Sequence, residues 1–190
     1  KIHATYKSID VLCYNAGFAK APDQGSKRVD NPIGGGMLED IDMDAFASSY
    51  AVHAEGLLRI AKLTLPRMRE LGGGSFLVSG NTMSLRGAKG FGLNAPSKFA
   101  QRALTQVMAQ EYKDFGVHIA HVIIDGAIDT PGLRKILSDS GNSMMLEQEA
   151  RKPGSMFLNP RDIADTFVAI AKQPPSVWTH EISLTPSGVS

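Results

Sequence analysis

Short apolar runs alternate with long amphipathic stretches along the whole chain, and no other feature restricts its fold as much. The runs are residues 9–14, 76–79, 117–124 and 181–185. Each is too short for a helix and is bounded by glycine or small polar residues, which reads as a strand. Between them, apolar side chains spaced by three and four mark helices. Phe46, Tyr50, Ala54, Leu57, Leu58, Ala61, Leu65 and Met68 form one stripe, opened by Asp42 or Asp44 as a cap and closed by Gly72-Gly73-Gly74. Phe99, Ala103, Leu104, Val107, Met108 and Tyr112 form a second, starting at Asn94 or Ser97, with Pro96 in its first turn and Gly116 as its stop. A third helix is expected over residues 162–172. Strands that alternate with helices predict a doubly wound parallel α/β sheet with right-handed crossovers.

Composition narrows the function classes. The 190 residues suffice for one domain with a sizeable core. A net charge of +1 without a Lys/Arg block argues against nucleic acid as a partner. No apolar run approaches the roughly 20 residues that span a bilayer, so no transmembrane segment is expected. A single cysteine, Cys13, excludes an internal disulfide and fits a reducing compartment such as cytoplasm or an organelle interior; its apolar surroundings predict a core position. No spacing of His, Cys, Asp and Glu suits a metal, and His118 and His121 point to opposite faces of their strand. Residues 19–40, with Asn31-Pro32 and Gly34-Gly35-Gly36, read as a long loop. Those glycines do not join a strand to a helix start and so make no phosphate cradle. Residues 133–154, with Met144-Met145, read as one or two short helices over the site. Ser75 reads as a loop serine and Trp178 as a core or interface aromatic.

The candidate site lies where Ser75-Phe76-Leu77-Val78-Ser79-Gly80-Asn81 runs out into a polar turn, and where Asn94-Ala95-Pro96-Ser97-Lys98 opens the next helix. In a parallel α/β sheet, ligands bind at the carboxyl ends of strands beside such helix starts. Asn15-Ala16-Gly17 after the first strand, and Asp125-Gly126-Ala127-Ile128-Asp129-Thr130 after the third, belong to the same end. Taken as bare side chains, His53 reads as a helix-surface or interface histidine and Lys98 as a solvated helix lysine.

These pieces, in this order, resemble the short-chain dehydrogenase/reductase family. Asn15-Ala16-Gly17 is similar to its N-A-G stretch and residues 79–98 to its serine loop and Y-x-x-x-K helix. Gly126 to Thr130 is similar to its G-x-x-x-T turn, and residues 160–171 with the last strand to its carboxyl-terminal helix and strand. Residues 80–86, Lys98-Phe99-Ala100 and Trp178-Thr179-His180-Glu181 resemble a divergent branch that lacks the usual tyrosine. The resemblance implies a Rossmann-like sheet corresponding to the family's strands four to seven, with helices on both faces. Residues 1–190 would then be a single carboxyl-terminal portion of the domain. It also implies contact of Asn15, Ala16, Gly17, Lys98, Gly126, Ile128 and Thr130 with NAD or NADP, and a homodimer through the two long helices. Ala47, Ala51, Ala54 and Ala61 are small enough for such packing, or for packing on the chain's own sheet.

Two departures qualify the resemblance. No G-x-x-x-G-x-G occurs, and the chain opens where the family's fourth strand is about to begin. The edge of the strand at residues 9–14 would then be unpaired, an aggregation hazard that something is expected to cover. Either the sequence is a fragment, or another polypeptide of a larger assembly supplies the missing strands, and NAD or NADP binds only if that half exists. The catalytic set also departs. Lys98 is retained, whereas Asn94 stands at the tyrosine, Asn81 at the serine and His53 at the helix asparagine. An amide does not titrate near neutral pH and cannot replace the phenol as acid, a loss of about 10²–10⁴-fold. The expectation is therefore a structural or binding subunit of this fold without standard reductase chemistry. The alternative is an NAD(P)-dependent oxidoreductase acting on a small carbonyl or alcohol, with His53, Lys98 or an ordered water as its acid.

Overall fold

The computed structural model describes residues 8–18, 34–139, 141, 146–147 and 149–189. The helix tail read at residues 1–6, residues 19–33 of the long loop and Met144-Met145 lie outside them. The elements are β1 (Val11–Tyr14), α1 (Met43–Tyr50), a π-turn (Ala51–Glu55), α2 (Gly56–Glu70), β2 (Gly74–Asn81), α3 (Ala95–Tyr112), β3 (Val117–Ile124), β4 (Ala127–Ile128), α4 (Pro131–Asp139), β5 (Phe157–Leu158), α5 (Pro160–Ala171) and β6 (Glu181–Leu184). The main sheet runs β1-β2-β3-β6, all parallel. The small parallel pair β4-β5 has no counterpart in the sequence reading; two residues per strand are too few for a periodic signal.

The two layers of helix follow from the strand sequences. β3 is buried along its whole length, as a strand covered on both faces must be. On one face Phe76 and Val78 of β2, with Val117 and Ile119 of β3, pack against Leu57, Ala61, Leu65 and Met68 of α2 and Met108 of α3. On the other, Leu77, Ala120 and Val122 meet Ile170 of α5. Replacing the fully buried Phe76 by alanine would cost about 3–5 kcal/mol.

The predicted long helix is two α-helices joined through the π-turn. Asp42 caps it, accepting from the Asp44 and Ala45 amides. Gly72 ends it with φ of +77°, in the left-handed region where a side chain is disfavoured. The buried stripe differs from the expected one. Ala45, Ser49 and His53 lead into Leu57, Ala61, Thr64, Leu65 and Met68, whereas Leu58 is exposed. On α3 the exposed side chains include Phe99, Ala103 and Val107, while Ala95, Ser97, Lys98, Gln101, Thr105 and Met108 face inward. Ser97 bonds Ser49 and His53 across the helix pair, Lys98 bonds Gln101 and the Ser79 carbonyl, and Thr105 bonds back to the Gln101 carbonyl, polar contacts that a hydrophobicity pattern does not register.

Cys13 is exposed, contrary to the expected core position. β1 pairs with β2 alone among the described strands. Leu12 and Tyr14 pack on the α2 side, but no described helix covers the other face at Val11 and Cys13. Ser75 lies within β2, not in a loop, and donates to the Ala171 carbonyl. Trp178 is half-buried and stacks on His118, ring centroids 5.0 Å apart.

Candidate active site

A cleft of about 610 Å³ opens at the carboxyl ends of β1, β2 and β3. Asn15, Ala16 and Gly17 form one lip; Gly126, Ala127 and Ile128 form the other. His53, Asn81, Asn94 and Lys98 lie between, with Phe18, Phe91 and Leu133 adding apolar wall. Thr130 is not part of the lining. Its Oγ1 accepts from the Leu133 amide at 3.2 Å, capping the start of α4.

The end of β2 and the start of α3 bring the two asparagines side by side. β2 delivers Asn81 to a 3₁₀ turn, where its Oδ1 accepts from the Met83 amide at 3.0 Å. Its Nδ2 then donates to Asn94 Oδ1 at 3.2 Å. Asn94 sits at the cap position of α3 without capping it by its side chain, which is turned to Asn81 instead. A layer below, Ser79 Oγ donates to Asn15 Oδ1 at 2.6 Å and fixes the first lip.

Lys98, one turn into α3, is 5% exposed, not the solvated helix lysine that its charge suggests. Its ammonium donates to Gln101 Oε1 at 2.9 Å and to the Ser79 carbonyl at 3.4 Å. Burial without a counter-charge pushes its pKa down to about 8.

His53 is 1% exposed, not a surface histidine. The π-turn carries it, and the changed hydrogen-bond register there, with the Gly56 amide reaching back to the Ala51 carbonyl, frees the neighbouring Val52 carbonyl to accept from Tyr14 Oη at 2.5 Å. A Cβ on Gly56 would collide with that hydroxyl. His53 Nε2 accepts from the Phe18 amide at 3.3 Å, so the network assigns the proton to Nδ1, which donates to Ser97 Oγ at 2.9 Å. Ser97 donates in turn to the Asn94 carbonyl and accepts from Ser49 Oγ at 2.8 Å. Burial, and secondarily the Lys98 charge, push the His53 pKa down to about 4. The ring is neutral at physiological pH with both nitrogens engaged, which removes it from the candidate acids.

Behind this layer, Arg102 clasps Glu181 with two bonds of 2.6 and 2.7 Å and donates to the Ser84 carbonyl, bracing α3 against β6 and the turn after β2. The guanidinium holds the Glu181 carboxyl below the usual carboxylate range. His121, fully buried beside it, is pushed down to about 4 by desolvation although Glu181 pulls the other way. On the opposite rim Arg134 pairs with Asp129 and lies over Phe157, 4.6 Å from its ring centroid, which anchors α4 beside the cleft. Sequence reading placed Ser79 in the site stretch without a role and missed Ser49 and Gln101. Only Ser49 carried a signal, four residues ahead of His53 on one helix face.

Comparison with known proteins gives the family and the fold. Residues 1–190 match the family described as Enoyl-(Acyl carrier protein) reductase. The chain is 26% identical over 185 residues to 17-beta-hydroxysteroid dehydrogenase type 1 of Homo sapiens, covering 87% of this chain and 50% of that protein. It spans about half the length of most of the curated relatives it matches. Among solved structures, it is similar to sorbitol-6-phosphate 2-dehydrogenase of Erwinia amylovora (TM-score 0.78, 18% identity, 100% of this chain and 72% of that one). It is also similar to the closed form of serine dehydrogenase complexed with NADP+ (TM-score 0.75, 16% identity, 98% and 68%). At these identities the likeness to the two structures is one of fold.

Proposed function

This chain belongs to the short-chain dehydrogenase/reductase family, and from that premise we propose an NAD(P)-dependent oxidoreductase for small carbonyls or alcohols in which Lys98 replaces the missing tyrosine as acid. The observation that carries this reading is the buried lysine on the cleft wall with its pKa brought to about 8. General acids work best when their pKa lies near the working pH, and neither asparagine has one there.

The residues present fit a nicotinamide and its ribose. The Lys98 ammonium uses two of its three N–H groups within the described residues, which leaves one for a hydroxyl or carbonyl oxygen. Open space surrounds the position of a Cβ on Gly17, so a ligand can approach the backbone, and Ala127 and Ile128 offer an apolar wall opposite. Asn15, Ala16, Gly17, Gly126 and Ile128 would hold the group, which supplies the hydride when bound. Asn94, already oriented by Asn81, would donate its amide N–H to the carbonyl oxygen and stabilise developing negative charge. Lys98 would pass one proton to that oxygen, become a neutral amine and take a proton back from solvent.

A structural or binding subunit is the second reading. The bond between Asn81 and Asn94 favours it, because each amide satisfies the other without substrate. The human relative's name, a dehydrogenase, weighs against it. On either reading we place residues 1–190 as the carboxyl-terminal portion of the family's domain. The β1 edge is then covered by further strands of the same polypeptide or of a partner. Exposed Leu58, Phe99 and Val107 suit a homodimer through α2 and α3. In the full-length protein, NAD(P)H should change fluorescence on binding, and a carbonyl panel should be reduced at a rate that falls about 10²–10⁴-fold in Lys98→Met. No fluorescence change, or unaltered turnover in that variant, refutes the oxidoreductase reading.

A further inference from the structure

One imidazole links two segments by hydrogen bonds. His53 Nε2 holds the Phe18 amide, at the end of the lip that begins with Asn15, while Nδ1 holds Ser97 in the first turn of the helix that carries Asn94 and Lys98. Ser49, from the preceding turn of its own helix, and the Asn94 carbonyl close the circuit on Ser97. Every partner in the circuit has its donor or acceptor matched. The charged group that acts on the ring is the Lys98 ammonium from α3. No carboxylate is bonded to the ring among the described residues. Because the Phe18 amide donates to Nε2, the neutral ring carries its hydrogen on Nδ1 and a lone pair on Nε2.

We infer that His53, as the Nδ1–H tautomer, is a positioning residue that fastens the 15–18 lip to the start of α3 and so fixes its spacing from Lys98. The role of that spacing in dinucleotide binding rests on the oxidoreductase reading; the clamp itself does not. Reach decides why a histidine stands here. Asparagine ends at the δ position and can replace Nδ1 toward Ser97, but no atom of it extends to where Nε2 meets Phe18. Glutamine places an acceptor at the ε position and can meet Phe18 while giving up Ser97. The two variants thus separate the two halves of the clamp.

The test uses the full-length protein. Nitrogen NMR of the imidazole should give the Nδ1–H tautomer, with no titration between pH 8 and 5. The Phe18 amide should exchange slowly in the wild type, at least tenfold faster in His53→Asn, and slowly again in His53→Gln. The NAD(P)H dissociation constant should rise about two- to tenfold in His53→Asn, the worth of one hydrogen bond, and recover in His53→Gln. An Nε2–H tautomer, titration near 6.5, or equal Phe18 exchange in wild type and His53→Asn overturns the clamp. A wild type with the expected tautomer and a protected amide that binds no dinucleotide upholds the clamp and refutes the oxidoreductase reading instead.

Discussion

Mild acid should loosen this fold well before its carboxylates protonate. His53 and His121 are buried, and each is held neutral with a pKa near 4, against 6.5 for an ordinary histidine. The unfolded chain binds their protons as pH falls through 6.5, while the native state refuses them until about 4. Stability therefore rises with pH across this window and is lost on acidification. At pH 5 each ring has crossed most of the gap, which at 1.4 kcal/mol per pH unit amounts to about 2 kcal/mol apiece. Two rings together remove about 4 kcal/mol, a large share of the 5–15 kcal/mol typical of a domain. His118, lowered by burial as well, acts in the same direction. Glu181 and Asp129, held low by Arg102 and Arg134, lose their contribution only below their ordinary values of 4.5 and 3.8, outside this window. Urea unfolding at half-unit steps from pH 7 to 5 measures the slope. His53→Asn and His121→Asn should each remove roughly half of it, even if both are less stable at pH 7. A wild type of constant stability between pH 7 and 5, or variants that keep the full slope, would refute the argument.

The same geometry sets three further expectations. Tyr14→Phe should cost about 1 kcal/mol by leaving the Val52 carbonyl unpaired. Gly56→Ala should cost more alone than in the Tyr14→Phe background, since the colliding hydroxyl is then gone, and a double-mutant cycle by thermal unfolding reads the difference. Glu181→Gln, which removes the carboxylate that pairs with the half-buried Arg102, should cost about 1–3 kcal/mol in urea unfolding.

Much of the fold was legible because it rests on periodicity. The strands, the parallel α/β class and the helix ends at Asp42 (one of two candidate caps), Gly72 and Gly116 followed from apolar spacing and turn chemistry, whereas the strand order β1-β2-β3-β6 was implied only by the family resemblance. The inner faces of α1 and α3 were misread because they are held by polar contacts. Ser49, His53, Ser97, Lys98 and Gln101 are buried at positions where the apolar spacing puts solvent. Cys13 was misread for the opposite reason: an apolar run says that a strand is buried, but not whether a helix covers both of its faces. Motif matching located Asn81, Asn94 and Lys98 but said nothing of their ionisation, which depends on burial.

The most direct test of the central claim is the pH dependence of single-turnover carbonyl reduction by the full-length protein with NAD(P)H in hand. If Lys98 donates the proton, the rate is level below pH 8 and falls tenfold per unit above about 8 as the ammonium is lost. Lys98→Met abolishes that limb together with most of the rate. A limb that survives in Lys98→Met at an unchanged rate would contradict the account.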